Sequence, residues 1–257
     1  MNLRTLGILA LCAHLVACTE NKPAAPQDGG LDGADTQGTD TQGPDGGAPD
    51  AENPDSMPEP VFVAATIRVV DPATGGGASG VTVTSKGVET TTDEMGRATV
   101  DVMSGPYEIA LTRSDTRTHR VFGVAGNEPF EQITYMSPEM ITSFVYTNLG
   151  LTDDNERGIV VVGLDLPDLA PAVGASASLD GLSDDSFVFA GNQPIFATEI
   201  PANGQGFITF PNVEPGTVEV TVAYPGGACR IFPAESEAVP IEVTAGEVSV
   251  VAYTCRL

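Results

Sequence analysis

From Val61 onward the apolar residues recur at every second position, and that period restricts the folded part of the chain to half-buried strands. Ala65, Ile67 and Val69 alternate with Thr66, Arg68 and Val70, and Val81 and Val83 alternate with Thr82 and Thr84. Ala98, Val100 and Val102 face away from Thr99 and Asp101; Tyr107, Ile109 and Leu111 face away from Glu108, Ala110 and Thr112. Turn sequences separate the runs: Asp71-Pro72-Ala73-Thr74-Gly75, Ser85-Lys86-Gly87, Asp93-Glu94-Met95-Gly96 and Ser104-Gly105-Pro106. Short strands with one apolar face must cover that face with a second sheet, so the expected fold is all-β, a sandwich without helices.

Strand signals resume from Gly158, over Ile159–Leu166, Val173–Leu179, Phe187–Phe189, Phe207–Phe210, Val218–Ala223 and Val248–Tyr253. The segment between is less regular; Ile133–Met136 and Ile141–Thr147 read as strands, and Thr152-Asp153-Asp154-Asn155-Glu156 as a polar boundary. One module is therefore expected over 61–137 and a second over 138–257. An internal echo supports two copies of one plan. Gly204 and Phe207–Phe210 followed by Gly216 and Val218-Glu219-Val220 repeat the order of Gly96, Ala98–Val102, Gly105 and Tyr107-Glu108-Ile109.

The first module carries Asp71, Thr74 and Gly75, then Gly80, Val81 and Val83, then Thr91, Thr92, Asp93 and Gly96, then Gly105 and Tyr107. In this pattern it resembles the carboxypeptidase regulatory-like domain, a relative of transthyretin-like and collagen-adhesin B-type domains. The resemblance implies small Greek-key sandwiches, transthyretin-like or immunoglobulin-like, that serve as spacers, stability modules or adhesive units. It does not extend to two better-defined relatives. An isopeptide-forming adhesin domain needs a lysine on its first strand, where this chain has Arg68; the ureide hydrolases need several histidines and a different C-terminus from Tyr253-Thr254-Cys255-Arg256-Leu257.

Ahead of the strands, Arg4 precedes the apolar run Leu6–Val16, which is too short to span a bilayer. The run ends in Leu15-Val16-Ala17-Cys18, which resembles the lipobox of bacterial lipoproteins. The resemblance implies a signal peptide over 1–17, with lipidation at Cys18 by diacylglyceryl and acyl (palmitate-type) chains. Thr19 in place of Asp points to the outer membrane. From 18 to 60 the composition turns to Asp, Gly, Pro, Thr and Gln. Ten acidic residues against the single Lys22 after Cys18 give this segment a net charge of -9, and no core can form from it. It reads as a disordered acidic tether with a mean span of about 35–40 Å.

The whole chain carries 35 acidic against 11 basic residues, a formal charge of -24. No basic face remains to follow a phosphate backbone, so nucleic acid is excluded as a partner, and attachment to an anionic membrane must come from lipid. After cleavage His119 is the remaining histidine, which removes histidine-rich metal sites; no metal and no cofactor is expected. Cys229 and Cys255, left over in an exported protein, are expected to form a disulfide closing a loop of about 27 residues. Arg113, Arg117, His119 and Arg120 make one basic spot. This is a candidate site for an anionic sugar or carboxylate, or an edge strand whose charges deter pairing and offset Asp115. Neither a nucleophile elbow nor a phosphate loop occurs, and Asp153–Asp154 and Asp184–Asp185 are adjacent rather than convergent. The reading is a non-enzymatic, membrane-anchored surface protein whose modules meet an unknown surface protein or, alternatively, a glycan or cell-wall ligand.

Overall fold

The computed structural model describes residues 60–72, 74–180, 185–236 and 238–257. The leader, Cys18 and the tether as far as residue 59 lie outside the described residues. The first set of strands is β1 (Phe62–Val70), β2 (Thr82–Ser85), β3 (Val88–Thr91), β4 (Arg97–Met103), β5 (Gly105–Thr112), β6 (His119–Ala125) and β7 (Phe130–Tyr135). β1 pairs antiparallel with β4 and parallel with β7, giving a three-stranded sheet. Its inward residues Ala65, Ile67, Val69, Ala98, Val100 and Val102 pack on Val81, Val83, Tyr107, Ile109, Leu111 and Val121 of the opposing strands. The alternation seen in the sequence is thus the division between this core and solvent.

Two motif positions show how the turns are fixed. The Asp93 carboxylate accepts the backbone N–H groups of Met95 and Arg97, each at 2.8 Å, and Gly96 follows at φ 76°. A side chain at Gly96 would be strained by that φ and would also sit 2.2 Å from the Val69 carbonyl oxygen. Tyr107 spreads over Gly123, its neighbour on β6, and donates its hydroxyl hydrogen to Gln132 Oε1 on β7 at 2.5 Å. One side chain therefore joins the two facing sheets, and burial raises the pKa of its phenol above the ordinary tyrosine value.

The second set is β8 (Gly158–Asp165), β9 (Ser176–Leu179), β10 (Phe187–Ala190), β11 (Gln193–Phe196), β12 (Phe207–Val213), β13 (Gly216–Val218), β14 (Val220–Ala223), β15 (Ala228–Ile231), β16 (Ile241–Val243) and β17 (Val248–Arg256). Its pairings repeat those of the first set. β8 pairs antiparallel with β12 and parallel with β17, as β1 does with β4 and β7. β9 pairs with β14 as β2 does with β5, and Gly216 of β13 stands opposite Val243 of β16 as Gly105 of β5 stands opposite Ala125 of β6. The echo noted in the sequence is therefore an echo of topology, with β10, β11 and β15 added.

The two sets share one sheet. β17 lies parallel to β6 with Val250 opposite Val121 and Val251 opposite Phe122, producing the strand order β11-β10-β12-β8-β17-β6-β5-β2-β3 with β15 also on β17. Because successive side chains point to opposite faces, Val121 and Val250 face the first core, whereas Phe122 and Val251 face a second core with Val160, Val162, Leu164, Ile208, Phe210 and Tyr253. The shared sheet is thus covered on one face by β4-β1-β7 and on the opposite face, further along, by β9-β14 and β13-β16.

Two expectations are corrected. Residues 141–147 are not a strand but belong to helix α1 (Glu139–Leu149). Their β-branched and aromatic character suggests a strand, but the ends decide: Pro138 cannot continue β7, Glu139 suits the first turn, and Gly150 closes the helix at φ 69°. Val145 and Tyr146 are its buried residues, and Tyr146 packs with Ile159 and Val248. Nor does the basic segment form an edge, since β6 has β5 on one side and β17 on the other.

Cys229 and Cys255 face each other across β15 and β17 and are disulfide-bonded, joining positions 26 apart in sequence. Loss of a bridge of this loop length is expected to lower stability by about 3 kcal/mol. Urea denaturation with and without reductant, and of the Cys229→Ser/Cys255→Ser double variant, measures it.

Candidate functional site

The basic segment forms a polar fastening beside the shared sheet. Arg117 precedes β6, and its side chain is 7% exposed. Its Nε donates to Glu139 Oε1 and Oε2 of α1 at 3.1 and 3.0 Å; the terminal nitrogen reaches Glu139 Oε1 at 2.9 Å, Asp153 Oδ2, and Asn155 Oδ1 at 3.3 Å. One guanidinium thus gathers the start of α1 and the loop leading to β8. Its planar fork of donors suits this arrangement as an ammonium group would not.

His119 follows two residues later and is 5% exposed. Its Nδ1–H donates to the Arg117 carbonyl oxygen at 3.0 Å, which fixes the neutral tautomer. Burial is the main cause that lowers its pKa to about 4, reinforced by the nearby Arg117 charge. Arg120 points toward the second core's face. It pairs with Glu108 on β5 and with Glu247 immediately before β17. It therefore ties three strands where the two sets meet. Arg113 is paired with Asp115 at 2.6 Å, and that hydrogen bond holds the exposed Asp115 carboxyl below the usual carboxylate range.

The structure consequently brings Arg117, His119 and Arg120 close together but commits their polar atoms to the protein itself. An anionic ligand there would have to displace Glu139, Asp153, Glu108 or Glu247. Asp153 and Asp154 also serve fastening: Asp153 binds Arg117, and Asp154 lies 3.5 Å from Arg157.

A different grouping has no counterpart in the sequence reading. Phe187 and Phe189 of β10 and Phe207 of β12 point to the face of the shared sheet opposite the second core, and Tyr135 at the end of β7 joins them. The ring centroids of Tyr135 and Phe207 are 6.2 Å apart at 38°, those of Phe207 and Phe189 5.8 Å apart at 58°. Beside them is Asp165, the last residue of β8. Its Oδ1 occupies the space above Gly206, where a side chain's first carbon would come within 2.1 Å. Among the described residues no arginine or lysine pairs with this carboxyl, and burial raises its pKa to about 7. Tyr135 senses the Asp165 charge on one side and Arg68 on the other. β7, β8, β10 and β12 come from distant parts of the chain, so no sequence spacing signals the group.

No known protein family matches the chain, and no curated protein matches it. Solved structures show distant similarity. The Bacillus anthracis TIE protein is 11% identical, with 76% of this chain and 34% of that chain covered at a TM-score of 0.24. A Streptococcal ancillary pilin is 14% identical, covering 76% and 63% at 0.23. A minor pilin of Streptococcus agalactiae is 13% identical, covering 75% and 95% at 0.25. The chain spans about a third of the first and somewhat under two thirds of the second. Likeness at this level carries no conclusion about activity, partners or assembly.

Replacing Arg117 with Ala leaves Glu139 and Asp153 without their common cation, and because both carboxylates are partly open to water the cost is about 1–2 kcal/mol. Urea denaturation should show a loss of that size, with strong coupling between Arg117→Ala and Glu139→Ala in a double-mutant cycle. His119 gives a pH signature. Its unfolded pKa is near 6.5 and its folded pKa about 4, so below 6.5 the unfolded chain takes a proton that the folded chain refuses. Its contribution is complete above pH 6.5 and is lost as pH falls to 4, by about 3 kcal/mol. Measured against His119→Asn at each pH, which removes the opposing contribution of Asp165, the wild type should lose that amount across the window.

Proposed function

We propose that the protein is a non-catalytic surface lipoprotein whose two β-sandwich modules act as a rigid structural or protein-interaction unit. On this reading it is anchored through acylated Cys18, in the outer membrane, and held clear of the lipid by the acidic tether. The observation that carries the reading is the use made of the strong polar groups. Arg97, Arg117, Arg120 and Arg157 each bridge elements far apart in sequence, to Glu131, Glu139, Glu247 and Glu214. They hold strands, helix and loops in place rather than converging on a cleft where a substrate could react. The first module's Asp93, Gly96 and Tyr107 have structural tasks, which suits a carboxypeptidase regulatory-like domain used as a spacer or adhesive unit. The Leu15-Val16-Ala17-Cys18 sequence supplies the anchor. Two or three acyl chains would keep such a protein on a membrane, at about 0.8 kcal/mol per buried methylene.

Mass spectrometry of detergent-extracted protein should find an acylated N-terminal Cys18, and Cys18→Ser should move the protein from the membrane fraction to the soluble fraction. An unmodified N-terminus at another residue, or membrane retention of the Cys18→Ser variant, would remove the anchor from the reading.

A further inference from the structure

The row of Tyr135, Phe207 and Phe189 beside Asp165 lies apart from the Arg117 fastening. We propose that this surface is a binding site for an alkylammonium group, whose positive charge would rest against the ring faces and pair with the Asp165 carboxylate. The assignment does not depend on the anchor at Cys18.

Three observations meet there. First, the rings are tilted to each other by 38° and 58°, so they form no flat platform for a stacked sugar ring; inclined electron-rich faces suit a compact cation. Second, Asp165 has no cation partner among the described residues, in contrast to Glu131, Glu139, Asp153, Glu214 and Glu247, each held by an arginine. A partly buried carboxylate without a counterion, close enough to Tyr135 to influence its hydroxyl, is a place where an external cation gains a partner. Third, the row can be reached from solvent, since Tyr135 is 52% exposed and Phe207, Phe189 and Asp165 are partly exposed.

Proton chemistry distinguishes a cation from a neutral ligand. With the site empty, burial favours the protonated carboxyl up to about pH 7. The nearby groups that carry or can acquire charge are the Tyr135 hydroxyl on β7, Arg68 beyond it on β1, and Asp168 on the loop after β8, whose Oδ1 accepts the Ala170 N–H. From β12 and β17 the neighbouring residues are Gly206, Phe207 and Thr254, which carry no charge. A bound ammonium favours the carboxylate, so the Asp165 proton passes to solvent on binding. A neutral ligand would release none.

The test is calorimetric and NMR titration of the full chain with tetramethylammonium chloride, compared with the neutral alcohol 3,3-dimethylbutan-1-ol, whose tert-butyl group has a similar size and no charge. Tetramethylammonium should bind at least about tenfold more tightly than the alcohol at pH 8, and about tenfold more tightly at pH 8 than at pH 6, where the proton competes. Asp165→Asn should lose about tenfold in affinity and its pH dependence, and Tyr135→Ala, at an exposed position, should weaken binding without unfolding the protein. Thermal melting at pH 8 checks the fold, because Asp165→Asn removes a charge that partial burial disfavours and should melt no lower than wild type. Peptides carrying lysine or trimethyl-lysine identify the source: binding by them points to a side chain of a partner protein, and binding by tetramethylammonium alone points to a small solute. Equal binding of the neutral alcohol, unchanged binding by Asp165→Asn, or no binding of any ammonium probe would overturn the proposal.

Discussion

The parallel pairing of β6 with β17 is the constraint on which the shape of the folded part depends. Each strand supplies alternate residues to opposite faces, and the register Val121 to Val250 and Phe122 to Val251 carries an apolar pair across the join on each face. Shifting either strand by one residue would turn both sets of side chains to the wrong core at once. The two sets of strands are thereby held as neighbours in one sheet. Parallel strands need connections that travel, and this one spans most of the folded chain, so the seam can form only after both partners exist.

The polar fastenings follow from that seam. Arg120 and Glu247 sit at the point where β17 comes alongside β6, and the Thr118 carbonyl accepts the Val248 N–H at 2.9 Å in the same place. Arg117, one residue earlier, holds α1 and the loop before β8. The result is a short segment, 117–120, in which backbone and side chains join β5, β6, β17, α1 and the β8 approach. Lysine could supply the charge but not several simultaneous bonds from one rigid group. His119 is buried beside Arg117 as a neutral donor to its carbonyl oxygen, and its environment disfavours a further positive charge.

Local information in the sequence was enough for the strands, because period-two alternation reports burial directly. It also served for the turns at Asp93 and Gly96, whose conformations depend on side-chain oxygen and positive φ within a few residues. The repeated order of glycines and strands pointed to a second sandwich of the same general type, and the pairing of β12 with β8 does repeat that of β4 with β1. The disulfide followed from a count of cysteines. What escaped was decided at the ends of an element or at long range. α1 carries strand-like residues, and its helical state comes from Pro138, Gly150 and burial of Tyr146 against β8 and β17. The interior position of β6 depends on β17, more than a hundred residues away. The clustering of Tyr135, Phe189, Phe207 and Asp165 needs four strands to be placed before any two of these residues are neighbours.

The net charge of -24 acquires a physical meaning from how unevenly it is compensated. The few arginines are concentrated at cross-links, such as Arg117 between α1 and the β8 approach and Arg256 with Glu235 at 2.6 Å near the C-terminus. A carboxylate within such a pair is neutralised locally and contributes little to the field at a distance. The excess acid elsewhere keeps a negative potential over the surface, which repels polyanions and raises the local concentration of cations. Asp165 lies within that potential yet is partly withdrawn from water, its Oδ1 packed over Gly206. Burial makes its ionisation costly in the absence of a partner, and the neighbouring rings would stabilise a soft organic cation. Burial and cation attraction therefore act on one carboxyl in opposite directions, and the presence of an ammonium group is what would decide between its protonated and ionised forms near neutral pH.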